Sequence, residues 1–169
     1  MTTPTAPATT TRERFDALVA DHRVVPVVRA LFADGETPVG VHRKLAGGRP
    51  GTFLLESAEQ GGIWSRWSFV GVSSFGVLTT DGGTVTWQDH GLDRARALGD
   101  AEGTPLEVLA ALHARWATPR IDGLPPLTGG LVGFVGWEAV RELEQLPDAP
   151  PAEFAVPAQA FSFVSELVV

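Results

Sequence analysis

At 169 residues, 44% hydrophobic and 20% charged, the chain has the length and make-up of one soluble globular domain able to bury a substantial core, and no apolar run approaches the roughly 20 residues needed to cross a bilayer. Its 13 basic residues against 20 acidic ones leave a formal charge of −7, which opposes the long-range attraction a nucleic-acid backbone requires. The absence of Cys excludes disulfides, thiolate catalysis and cysteine metal sites, and the four histidines, His22, His42, His90 and His113, show no ligand spacing.

Residues 1–11 are rich in Thr, Pro and Ala and lack the apolar and basic regions of a secretory signal, so they read as a flexible lead-in and the expected location is the cytoplasm. Phe15, Leu18 and Val19 then have helical spacing within 11–20, and residues 1–22 together read as lead-in plus short helix, with one domain over 23–169. The β-branched run Val24, Val25, Val27 and Val28 predicts a strand over 24–31, held to an edge or a strand start by Pro26. Thr37 as N-cap and Pro38 at the first position predict a helix through Ala46, stopped by Gly47 and Gly48. A buried strand over 52–57, a turn at Gly61 and Gly62 and a second strand over 66–72 follow. Strands over 76–80 and 84–88 flank Asp81, Gly82 and Gly83, a strong hairpin signal. Leu106, Leu109, Ala110, Leu112 and His113 predict a helix over 105–116 with Thr104 as cap. An apolar, glycine-punctuated strand over 128–136, helical spacing over 137–146 and a last strand over 158–169 complete the chain. Hairpin pairs with few helices indicate an α+β fold of antiparallel sheet, not a regular βαβ alternation.

The densest recognition chemistry lies between Phe53 and Gly71. Within a strand, Leu55 and Ser57 share one face and Leu54 and Glu56 the other. A carboxylate at the end of a buried strand can accept from an ammonium and a neighbouring hydroxyl can bind a polar group, so a small zwitterion is a sensible guest. The plainer alternative is a strand end at Ser57 with Glu56 paired to Arg66 across the hairpin. Trp64 and Trp67, three apart, fall on opposite faces of an extended segment, so one can enter the core while the other covers a pocket or an interface. Ser65 and Ser68 have no base nearby in sequence, and no nucleophile is read here. Gly129, Gly130, Gly133 and Gly136 do not form a phosphate-cradling loop: no Lys-Ser or Lys-Thr pair follows, and the intervening Leu131, Val132, Phe134 and Val135 read as a strand in close contact with another backbone. Glu138, Arg141, Glu142 and Glu144 make a solvated helix face.

Four blocks carry a family resemblance: Thr37–Pro38–Val39 through Arg43, Lys44 and Leu45; Pro50–Gly51–Thr52–Phe53 into Leu54, Leu55, Glu56 and Ser57; Trp64 through Gly71; and Pro125 through Gly130 into Val132, Gly133, Phe134, Arg141, Leu143, Glu144, Leu146 and Pro147. In this order and spacing they resemble the N-terminal region of anthranilate synthase component I. The resemblance implies a lyase that, in full length, converts chorismate and glutamine-derived ammonia to anthranilate and pyruvate in tryptophan biosynthesis. It further implies Mg2+ held by a C-terminal chorismate domain, a glutamine amidotransferase partner subunit, and antiparallel sheets of orthogonal sandwich type. On this reading the chain, which stops on Phe161, Phe163, Val164, Leu167, Val168 and Val169 without a polar tail, is cut before the chorismate domain and inactive alone; a docked C-terminal edge strand is the alternative. The resemblance assigns an allosteric tryptophan site to Leu55, Glu56 and Ser57, with Arg66 and Ser68 as further candidates, and it leaves no catalytic or metal residue in this chain. Aminodeoxychorismate synthase component I is similar over the same region, and a freestanding, non-catalytic ligand-binding module is a further alternative.

Overall fold

The computed structural model describes residues 9–56, 67–81, 84–148, 151 and 153–169. Helix α1 (Arg12–Val19) starts where the Thr11 hydroxyl accepts from the Arg14 amide. Helix α2 (Pro38–Leu45) has the expected Thr37 cap, accepting from Gly40 N at 3.0 Å, and stops at Gly47 and Gly48, both at positive φ. Strand β1 (Phe53–Glu56) and strand β2 (Ser68–Asp81) pair antiparallel, and β2 turns back into β3 (Thr84–Asp89). Helix α3 (Arg94–Leu98), capped by Asp93, precedes helix α4 (Pro105–Arg115), which opens with a capping box between Thr104 and Glu107. Strand β4 (Gly130–Val135), a 3-10 turn at Trp137–Glu142 and strand β5 (Gln159–Val168) follow.

The expected α+β arrangement of antiparallel strands and a few helices is met. The described strands form one five-stranded sheet in the order β1-β2-β5-β4, with β3 also paired to β2. Because β5 lies along one edge of β2, β1 and β3 share the other, β1 over Ser68 to Gly71 and β3 over Gly76 to Asp81. Register shifts between Gly71 and Gly76 bend β2 between these two partners.

The core gathers where α3 and α4 cover the sheet: Leu78, Ala97, Leu98, Val108, Leu112, Trp116, Phe161 and Phe163 form one buried cluster. Phe163 is fully buried and meets the rings of Trp87 and Trp116 edge-on, at centroid distances of 4.9 and 5.0 Å. On the opposite side of β5, Ser162 Oγ donates to the Gly51 carbonyl at 2.6 Å, and α2 packs against β1 and β2. Gly133 in β4 lies so close to the Ala160 carbonyl that a Cβ would collide with backbone, which is the close strand contact expected of this glycine run. No helix among the described residues is long and apolar enough to cross a membrane.

Four local expectations are corrected. Residues 24–31 form no strand: Thr10 and Val28 exchange hydrogen bonds, Thr10 N to Val28 O and Val28 N to Thr10 Oγ1, but Pro26 has no N–H with which to continue a ladder. The separate strands over 66–72 and 76–80 are, within the described residues, one continuous β2 (Ser68–Asp81), because Ser73 and Ser74 are carried through as bulges against β5. Helical spacing over 137–146 yields only a short 3-10 turn whose N-cap, Gly136, offers no side chain to the free amides. Helix α3 went unread, since five residues are too few for a periodic signal.

Candidate functional site

The β1–β2 register sets the geometry of the predicted binding element. Leu54 faces Val70, Leu55 faces Phe69, and Glu56 faces Ser68. Directly opposed residues present their side chains on one face of the sheet, so Leu54, Glu56, Ser68 and Val70 share a face and Phe53, Leu55, Phe69 and Gly71 the other. On that second face the Phe53 ring lies over Gly71, filling the space a side chain would need.

Ser68 and Val70 line a cavity of about 320 Å³ whose other walls are Ala33, Glu36, Thr37, Pro38, Val41, Trp67, Val168 and Val169. Helix α2 and its cap supply one wall and the start of β2 and the end of β5 supply the other. Val70 is 2% exposed and gives the floor an apolar surface. Polar groups converge from two sides. The Glu36 carboxylate accepts from Lys44 Nζ at 2.5 Å at one rim, and Thr37 Oγ1 is held by the Gly40 amide. Glu56, opposite Ser68 on the same face, brings a second carboxylate beside it, and its side chain makes no hydrogen bond to another described residue. The arrangement can enclose an apolar or aromatic group and offer carboxylates and hydroxyls to an ammonium or amide donor. Its volume is at the small end of ligand sites, which run from about 300 to 1,000 Å³.

The structure therefore pairs Glu56 with Ser68 on one face, with Ser68 in the cavity wall and Glu56 exposed beside it, whereas Leu55 sits on the other face and is 44% exposed. Ser57, Arg66 and Trp64 lie outside the described residues, as does the turn at Gly61 and Gly62. Trp67 lines the cavity. Sequence reading missed Glu36, Thr37 and Val41 as wall residues, because Thr37–Pro38 carries a helix-start signal that fully accounts for both. A second cavity of about 320 Å³, lined by His113, Trp116, Thr118, Gly129, Gly130 and other residues, holds none of the predicted site residues. His90 Nδ1 lies 2.8 Å from the nearly buried Ser74 Oγ, and His22 Nδ1 lies 3.3 Å from the Leu18 carbonyl. Among the described residues there is no group of three or more His, Asp or Glu that could hold a metal ion.

No family model matches the chain. Among curated proteins, anthranilate synthase component 1 of Arthrobacter globiformis is 45% identical over 157 residues, covering 93% of this chain and 29% of the relative. The proteins of the same name from Mycolicibacterium smegmatis and Mycobacterium tuberculosis (strain H37Rv) are 47% identical over 149 residues and 48% identical over 153. The chain is homologous to the N-terminal part of anthranilate synthase component 1. It spans about 29% of the length of these curated relatives. A crystal structure of anthranilate synthase component I from Streptococcus pneumoniae TIGR4 aligns over 83% of this chain and 28% of its own, with 17% identity and a TM-score of 0.45.

Proposed function

We propose that this chain is the tryptophan-sensing N-terminal part of an anthranilate synthase large subunit, with L-tryptophan bound in the cavity beside Glu56 and Ser68. The observation that carries the reading is the opposition of Glu56 to Ser68, a residue of the cavity wall. Glu56 and Glu36 supply acceptors for the ammonium of tryptophan, Ser68 supplies a hydroxyl, and Val41, Val70, Val168 and the Trp67 indole suit its ring. Arg66 is assigned to the carboxylate of the ligand, because a guanidinium matches it bidentately. Leu55, on the far face, supports the strand without touching the ligand.

The larger remainder of the subunit supplies the lyase chemistry on chorismate, including the Mg2+ ligands, and a glutamine amidotransferase subunit supplies ammonia. Feedback control follows from linkage: tryptophan inhibits only by binding one conformational state more tightly than the other. The cavity is suited to this, since its walls come from α2, the start of β2 and the end of β5, and a change in their packing alters its shape. That the relatives described are named anthranilate synthase favours this reading over the folate-pathway enzyme.

The test is a chimera in which this chain replaces the matching 149 residues of the Mycolicibacterium smegmatis relative. Anthranilate formation from chorismate is followed by fluorescence, with and without L-tryptophan. A folded chimera that makes anthranilate and is inhibited supports both parts of the proposal. A folded but inactive chimera overturns the enzyme assignment, and an active chimera insensitive to tryptophan overturns the sensing role.

A further inference from the structure

We propose that Arg23 and Arg115 form a binding site for a small oxyanion at the C-terminal end of α3. Arg23 Nη2 donates to the Arg96 carbonyl at 2.9 Å, and Arg115 Nη2 donates to the same oxygen at 3.0 Å. The two donor nitrogens are thus no farther apart than the sum of those distances, and two positive head groups meet at one point. Helix α3 ends there, and its free carbonyl accounts for one donor on each arginine. That oxygen carries only a partial negative charge, so two full positive charges on it leave a surplus that a bound anion would lower.

No such anion comes from the described residues. The ion pairs among the described residues are Arg12–Asp16, Lys44–Glu36 and Arg141–Glu138, and none involves Arg23, Arg96 or Arg115. In a chain of formal charge −7, an unneutralised arginine pair is a local reversal of sign. The geometry is also fixed. Arg115 lies against Gly99, where a Cβ would come within 2.8 Å of Nη1 and 2.9 Å of Cζ. Its Nε is buried without a partner among the described residues, so the fold holds this guanidinium in place without meeting all of its donors. Arg23 is exposed and arrives from the loop after α1, so a ligand can approach from solvent. Each guanidinium has five N–H donors in a planar fork, which matches phosphate or carboxylate oxygens two at a time. The shared ligand chemistry is an oxyanion, carried by a phosphate group or by a carboxylate.

Binding is read from thermal unfolding and calorimetry of the chain titrated with inorganic phosphate, with succinate, and with chloride at matched ionic strength. We expect phosphate, succinate or both to raise the unfolding temperature saturably above the chloride control, and whichever acts identifies the source. In Arg23→Met, whose head group is exposed, the apparent Kd rises about tenfold, the scale of one lost charge-assisted hydrogen bond. Arg115→Met gives the same loss; if it fails to fold, Arg23→Met decides alone. Equal responses to all three salts, or unchanged binding in a folded Arg23→Met variant, would overturn the proposal.

Discussion

Replacing Phe163 with leucine tests how the core holds the sheet against α3 and α4. The ring is fully buried and takes part in two edge-on contacts, with Trp87 at an interplanar angle of 79° and with Trp116 at 90°. Leucine keeps most of the apolar surface, so the transfer contribution falls little; what is lost is the pair of aromatic contacts, at about 0.5–1.5 kcal/mol each beyond area burial. The expected cost of Phe163→Leu is therefore about 1–3 kcal/mol, and Phe163→Ala, which also leaves a cavity, costs about 3–5 kcal/mol. Phe32, at 90% exposure, is the internal control: Phe32→Ser stays within about 0.5 kcal/mol. Urea unfolding followed by tryptophan fluorescence reads all three, and because Trp87 and Trp116 flank the ring, the native emission of Phe163→Leu should shift as well. A Phe163→Leu protein as stable as the parent, or a Phe32→Ser protein equally destabilised, would refute the assignment of the core to this cluster.

Gly133→Ala is expected to lower stability by about 1–3 kcal/mol in the same urea assay, since the new methyl meets the backbone of Ala160 and Phe161 and cannot be relieved by a rotamer change; unchanged stability would contradict the close β4–β5 contact. At the start of α1, Glu13 is held below the ordinary carboxylate range, first by a backbone hydrogen bond of its own residue and then by the Thr11 hydroxyl, against a small opposing effect of desolvation. A depressed folded-state pKa contributes stability above the ordinary carboxylate pKa, and that contribution fades as pH falls through the folded value. Carbon-detected NMR titration of Glu13 should therefore place its midpoint below that of an unstructured glutamate, and Thr11→Ala should move it back toward that reference.

Much of this fold was legible because its signals are local. Thr37–Pro38 and Thr104–Pro105 announce helix starts through cap chemistry, and both helices begin there. The hairpin signal at Asp81 is likewise met by the pairing of β2 with β3, Asp81 opposite Thr84, while Gly82 and Gly83 lie outside the described residues. What was not legible depends on partners distant in sequence. The gap left between the strands read over 66–72 and 76–80 closes only because β5, some ninety residues later, pairs alongside Ser73 and Ser74 and carries them as bulges. The run at Val24 to Val28 has strand composition but no strand, since propensity is satisfied only where a neighbour completes the ladder. The candidate site divides in the same way. Glu56 stood out by its chemistry at a strand end and Ser68 only through the family resemblance, while Glu36, Val41 and Val168 meet Ser68 only through packing of α2 and β5.

The central claim is that the cavity face of the β1–β2 hairpin senses tryptophan, and Glu56→Gln in the active chimera tests it most directly. Inhibition of anthranilate formation by L-tryptophan is measured together with kcat and KM for chorismate. Loss of one charge-assisted contact to the ligand ammonium raises the half-inhibitory concentration about tenfold or more, with kcat and KM unchanged. An inhibition curve identical to that of the parent chimera would contradict the claim.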